Sequence, residues 1–106
     1  MTRVFYREYY DKALIIAEGH SGFDIEGRDI VCAGISTLVC TLINCLKDEE
    51  SADRLKLVRD IVRDGYICFE IEYFDFSKER IRAIIETCIS GLYMLSEQYP
   101  RYISFE

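Results

Sequence analysis

Residues 57–73 read LVRDIVRDGYICFEIEY. Two runs rich in strand-forming residues, Leu57–Val62 and Tyr66–Tyr73, flank the segment Arg63-Asp64-Gly65. Asp-Gly is a hairpin-turn signal, because glycine tolerates the positive φ that a tight turn requires. In the second run Ile67, Phe69 and Ile71 alternate with Cys68, Glu70 and Glu72. That two-residue period describes a strand with one face buried. An antiparallel pair with one apolar face needs helices to cover it.

Both flanks of the hairpin supply them. Upstream, Val31, Ile35, Leu38, Val39, Leu42, Ile43 and Leu46 recur at three- and four-residue spacing, the stripe of a helix buried along one side. Asp29 falls in its first turn, where a carboxylate can accept from unpaired backbone N–H groups. The charged run Lys47-Asp48-Glu49-Glu50-Ser51 reads as the solvated loop that ends it. Downstream, Ile81, Ile84, Ile85, Cys88, Leu92 and Leu95 trace a second helix beginning after Phe76-Ser77, with Ser77 as its expected N-cap. Earlier in the chain, Val4-Phe5-Tyr6 and Ala13–Ala17 read as strands joined by a turn at Tyr10-Asp11-Lys12, and Tyr102–Phe105 as a short final strand. The order β-β-α-β-β-α-(β) predicts one α+β domain over residues 1–106, with helices packed on a mostly antiparallel sheet.

Composition sets outer bounds. Half of the 106 residues are apolar, enough for one core, and nothing suggests disorder. The formal charge of −6 argues against phosphate-backbone binding and is compatible with a basic peptide partner. The N-terminus carries charges throughout and shows no signal-peptide pattern. The longest uncharged stretch, Ile30 to Leu46, falls short of the ~20 residues of a membrane span, so a soluble protein is expected. Five cysteines, at 32, 40, 45, 68 and 88, form no C-x-x-C pair, and there is a single histidine. A zinc site is therefore not expected, and the thiols read as reduced in a cytoplasm.

One segment departs from this regular pattern. Residues 19–36, GHSGFDIEGRDIVCAGIS, place the only histidine, His20, on a glycine-rich loop with Gly19, Gly22 and Gly27. They also place Cys32 at the opening of the first helix. A thiol in the first turn of a helix faces N–H groups and the positive dipole end, which favour thiolate. An imidazole nearby can take the thiol proton and later return it to a leaving amine. The helix-start N–H groups can hold an oxyanion. Ser36, one turn beyond Cys32, either hydrogen-bonds near the site or bonds back to its own helix. Asp29 is open between capping and a part in the chemistry. Cys40, Cys45, Cys68 and Cys88 read as structural.

The same segment resembles the signature of the ribosomal-processing cysteine protease family, Prp. The resemblance lies in Gly19-His20, the loop through Gly22, Gly27-Arg28-Asp29-Ile30-Val31-Cys32-Ala33, and Ser36. It extends to the ending Glu97-Gln98-Tyr99-Pro100-Arg101-Tyr102, and so covers essentially the whole chain. Ser21 and Gly34 stand where the family commonly has alanine, and Glu18 precedes Gly19; none of these removes a proposed catalytic group. The resemblance implies an endopeptidase that removes a short N-terminal extension from a large-subunit ribosomal protein, supporting ribosome assembly. It implies Cys32 as nucleophile and His20 as general base, supported by Asp29 and Ser36. Gly19, Ser21, Gly22 and Gly27 would belong to a substrate loop. It further implies a homodimer that needs no cofactor, metal, nucleic acid or membrane. The alternatives are a non-catalytic peptide-binding or ribosome-assembly factor recognising the same extension, and a redox-sensing thiol.

Overall fold

The computed structural model describes residues 1–106. Its elements run β1 (Thr2–Tyr9), β2 (Lys12–Glu18), α1 (Ile30–Ser51), β3 (Leu55–Arg63), β4 (Tyr66–Tyr73), α2 (Lys78–Gln98) and β5 (Ile103–Phe105), with a short 3-10 turn at Asp75–Ser77. The five strands form one sheet in the order β3-β4-β2-β1-β5. All neighbours are antiparallel except β1 and β5, which pair in parallel. The expected α+β architecture is what forms; β1, β2 and β3 extend beyond the apolar runs that announce them, β4 matches its run, and β5 is one residue shorter.

Alternation along the strands decides which face the helices cover. Val4 of β1, Ala13, Ile15 and Ala17 of β2, and Phe69 and Ile71 of β4 join Val31, Ile35, Val39, Leu42, Ile81, Ile85 and Leu92 of the helices in one core. The two helices approach closely because Leu38 lies over Gly91 and Leu95 over Gly34. A Cβ on Gly91 would come within 2.8 Å of Leu38 Cδ2. The opposite sheet face bears the cross-strand row Phe5, Ile16, Cys68 and Ile61, which no helix covers.

The hairpin at 57–73 contains a feature beyond its turn. Leu57 pairs with Ile71 but Arg59 with Glu70, so Val58 is an extra residue in a β-bulge. A bulge re-aims every side chain beyond it. Here it turns Val62, opposite Ile67, toward the helix side of the sheet, where both line a cleft described below.

The charged run at the end of α1 is not a loop. The helix continues through it to Ser51. Glu49 is only 5% exposed and accepts from Arg54 Nη1 at 2.9 Å and Arg80 Nε at 2.8 Å. Burial alone would raise the Glu49 carboxyl; the two guanidinium donors outweigh it and hold it below the ordinary glutamate value. The pairing ties the end of α1 to the chain entering β3 and to the first turn of α2. Ser77 is likewise reassigned: it sits at the α2 N-cap position but makes no capping bond there. Its hydroxyl instead donates to the carbonyls of Arg54 and Phe74, joining the same corner. With Glu49 included, α1 is 22 residues long and apolar enough to cross a membrane by length and composition. Its buried stripe on the sheet and the ion-paired Glu49 make it the core helix of this fold.

Glu49→Ala leaves two arginines without their carboxylate. Arg54 and Arg80 are 38% and 59% exposed, so water recovers much of their solvation. We expect a loss of about 1–3 kcal/mol, less than for a fully enclosed pair, read as a lower denaturant midpoint with an unchanged slope.

Candidate active site

A cleft of about 760 Å³ opens where the loop 19–28, the start of α1 and the β3–β4 turn meet. His20 and Cys32 both line it, as do Gly19, Gly22, Gly27, Asp29 and Ser36. Residues distant in sequence complete the wall, Val62 through Ile67, because the sheet order brings β4 beside β2, whose end leads into the loop.

Asp29 organises the start of the helix. It is the N-cap residue, with extended backbone, and its Oδ1 accepts the Cys32 N–H at 2.8 Å. Its other oxygen, Oδ2, accepts from the Ser21 hydroxyl and from the N–H groups of Phe23 at 3.1 Å and Asp24 at 3.3 Å. Burial alone would raise this carboxyl; the hydrogen bonds outweigh it and bring it from 3.8 to about 2. One carboxylate thus caps the helix that carries Cys32 and folds the glycine loop back over that helix. Neither oxygen bonds His20 or the Cys32 thiol.

Ser21, grouped with the glycines of the expected substrate loop, is buried rather than open to the cleft. It is 1% exposed and lies beneath the loop, its hydroxyl on Asp29 and its N–H directed at Cys32 Sγ, 3.4 Å away. Phe23, two residues on, packs edge-to-face against Tyr99 and Tyr102, with centroid distances of 5.6 and 5.2 Å. Sequence reading passed over Phe23, and the signal for it lay in the aromatic pair that brackets Pro100. Gly19, Gly22 and Gly27 remain exposed at the cleft.

His20 is open to solvent, with 62% of its side chain exposed. It makes no hydrogen bond to Cys32; its Nε2 lies 4.0 Å from Asp64 Oδ1 on the β3–β4 turn. Ser36 is exposed on the cleft wall, and its hydroxyl bonds neither the site nor its own helix. Cys40 is also exposed and lines the cleft, against its expected place in the core, because it falls outside the buried stripe of α1. Cys68 and Cys88 are buried as expected, and burial pushes the Cys88 thiol up to about 11. The Cys32 N–H is committed to Asp29, which removes the most obvious oxyanion donor. The N–H groups of Gly22 and Ile30, both on the cleft wall, have no protein acceptor.

No curated protein sequence matches the chain. Among solved structures, an essential ribosomal processing protease Prp from Staphylococcus aureus, bound to a covalently linked product peptide, superposes with a TM-score of 0.80 at 24% identity, covering 100% of this chain and 98% of that one. The same protease with a substrate peptide gives 0.72 at 22% identity with the same coverage. The SMU.848 protein from Streptococcus mutans gives 0.71 at 27%, covering 100% of this chain and 92% of its own. These likenesses establish the fold. The sequence profile of the cysteine protease Prp family matches residues 1–104, a range that contains the cleft described above. The chain belongs to the Prp family of cysteine proteases.

Proposed function

We propose that the protein is an endopeptidase that removes a short N-terminal extension from a large-subunit ribosomal protein, with Cys32 as nucleophile and His20 as general base. The observation that carries this reading is the meeting of the only histidine and a helix-start cysteine on one cleft. Support for the substrate comes from the Staphylococcus aureus relative, a ribosomal processing protease crystallised with a substrate peptide.

The chemistry follows from the groups in the cleft. The imidazole takes the Cys32 proton, and the thiolate sulfur attacks the scissile carbonyl carbon. The carbonyl π electrons move to oxygen, where unpaired N–H groups lining the cleft, those of Gly22 and Ile30 among them, can donate. Collapse of the tetrahedral intermediate expels the amine, which takes the proton from the imidazolium. Water, deprotonated by the same imidazole, then cleaves the thioester and restores the thiol. Asp29 contributes at one remove by holding the Cys32 backbone and Ser21, so that an N–H stays directed at sulfur.

This reading also places the protein in the cytoplasm, where ribosomes assemble, and makes it a homodimer. The half-buried Phe5, Ile16 and Ile61, side by side on the sheet face turned away from the core, offer such a dimer apolar area to bury. Light scattering that returned a monomer mass across micromolar concentrations would remove that part of the proposal.

The central test is mass spectrometry of a peptide spanning the ribosomal extension, incubated with wild type and with Cys32→Ala. One cut by the wild type and none by the variant is the expected result. Cys32→Ser should be equally silent, because its hydroxyl ionises far less readily than a thiol; turnover by it would count against thiolate attack. An intact peptide that binds but is never cut would remove the proposed substrate. Asp29→Asn keeps the shape of the cap but halves its accepting capacity; kcat/KM should fall about tenfold and stability by about 1–2 kcal/mol. In the wild type, the low Asp29 value contributes stability above the unfolded-state value near 3.8 that is lost as pH falls toward about 2. That contribution, about 2 kcal/mol, should vanish from the acid limb of the Asp29→Asn unfolding profile.

A further inference from the structure

The β3–β4 turn does more than reverse the chain. Gly65 has φ +70 in the turn, and its carbonyl accepts the Gly19 N–H at 2.8 Å, which fastens the residue before His20 to the hairpin. The imidazole then lies against Gly65. A Cβ placed there would stand 3.1 Å from His20 Nε2 and 3.6 Å from both Cδ2 and Cε1. The two carbons that flank Nε2 are equally distant, so Nε2 is the ring atom nearest the turn, which lies over that end of the ring. Nδ1 and Cγ are therefore the ring atoms farthest from the turn. On the same turn, Asp64 Oδ1 is 4.0 Å from Nε2.

Asp64 has no other cationic partner. Arg63 beside it directs its guanidinium over the Tyr66 ring, 5.7 Å from the centroid. Asp29, the acid that the sequence singles out, has both oxygens occupied by Ser21, Phe23, Asp24 and Cys32. Asp24, Glu26 and Arg28 complete the charges on the cleft, and none forms an ion pair with His20.

We propose that the β3–β4 turn is the seat of the general base, with Asp64 as the positioning residue that holds the Nε2 edge of His20 so that Nδ1 receives the Cys32 proton. The inference rests on the Cys32 and His20 reading above and supplies the third member that orients the imidazole. When the proton passes from sulfur to Nδ1 the ring becomes a cation, and the Asp64 carboxylate is the anion beside it. Both groups are largely exposed, at 62% and 87% for the two side chains, so water screens the attraction and the effect is modest.

Asp64→Asn tests this with two readouts. One is steady-state cleavage of the extension peptide. The other is the rate at which iodoacetamide alkylates Cys32, followed site by site by mass spectrometry, with Cys40 on the same helix as internal reference. We expect kcat to fall about three- to tenfold with KM within about twofold, and Cys32 alkylation to slow in parallel while Cys40 is unaffected. Asp64→Glu should restore most of both rates. The gap between wild type and Asp64→Asn should close in about 1 M salt, where the Debye length is about 3 Å. Gly65→Asn should slow Cys32 with little change in Tm, since asparagine tolerates the positive φ while its Cβ displaces the ring. Equal kcat and equal alkylation in wild type and Asp64→Asn would overturn the proposal. So would a loss confined to KM, which would make Asp64 a substrate contact. The alkylation arm needs no substrate, so a wild type that ignores the peptide yet shows the Asp64-dependent Cys32 rate would sink the substrate reading alone.

Discussion

A buried carboxylate next to a helix start organises the whole cleft. Asp29 has two oxygens and uses them in different directions: one receives the N–H of Cys32 and ends α1, the other collects a hydroxyl and two N–H groups from the loop before it. Removing a carboxylate from water is costly, and only several good donors together offset it. Because they do, the loop cannot leave without giving up three of the four hydrogen bonds to that carboxylate. The glycine-rich segment therefore has two regimes. Its base, through Ser21 and Phe23, is held by Asp29 and by the rings of Tyr99 and Tyr102, while residues 24–28 stay exposed at the rim.

The rest of the fold delivers parts to that cleft from the far side of the sheet. Since β4 lies between β3 and β2, the turn that joins β3 to β4 ends up beside the exit of β2, where the loop begins. The Gly19–Gly65 hydrogen bond joins the two. The bulge at Val58 sets which face Val62 presents, and so lends the cleft part of its apolar wall. At the other end of α1, Glu49 fixes the helix to the β3 entry and to α2. The two ends of α1 are thus anchored by two buried carboxylates, one at the cleft and one remote from it.

How far the sequence could be read depended on the range of the interaction. Periodicity within one element showed the two helices and the hairpin, because a buried stripe or a two-residue alternation is a local signal. The run Lys47–Ser51 misled for the opposite reason: five polar residues look solvated until Arg80, thirty-one positions from Glu49, arrives to pair with it. Ser77 looked like a cap because serine before a helix usually is one, whereas its hydroxyl is drawn to Arg54 across the corner. Ser21 read only as one member of the glycine loop, and the Asp29 carboxylate eight positions on accounts for its burial. Cys40 read as a structural thiol among apolar neighbours, although the helical phase of the buried stripe leaves it exposed.

By itself, then, the sequence determined the α+β order, the helix that opens at Cys32, and the histidine loop that precedes it, since each is written in neighbouring residues and their spacing. The motif over residues 19–36 also carried the family resemblance. The tertiary structure alone decided that Asp29 spends its charge on the loop and the cap rather than on His20, and that Cys32 gives its own N–H to Asp29. It alone decided that the acid nearest the imidazole is Asp64, a residue that reads in sequence as nothing more than half of a hairpin turn. The reason is physical. Which carboxylate meets which donor depends on strand order and register, and these arise from burying one sheet face beneath two helices, a property of the whole chain that no short segment contains.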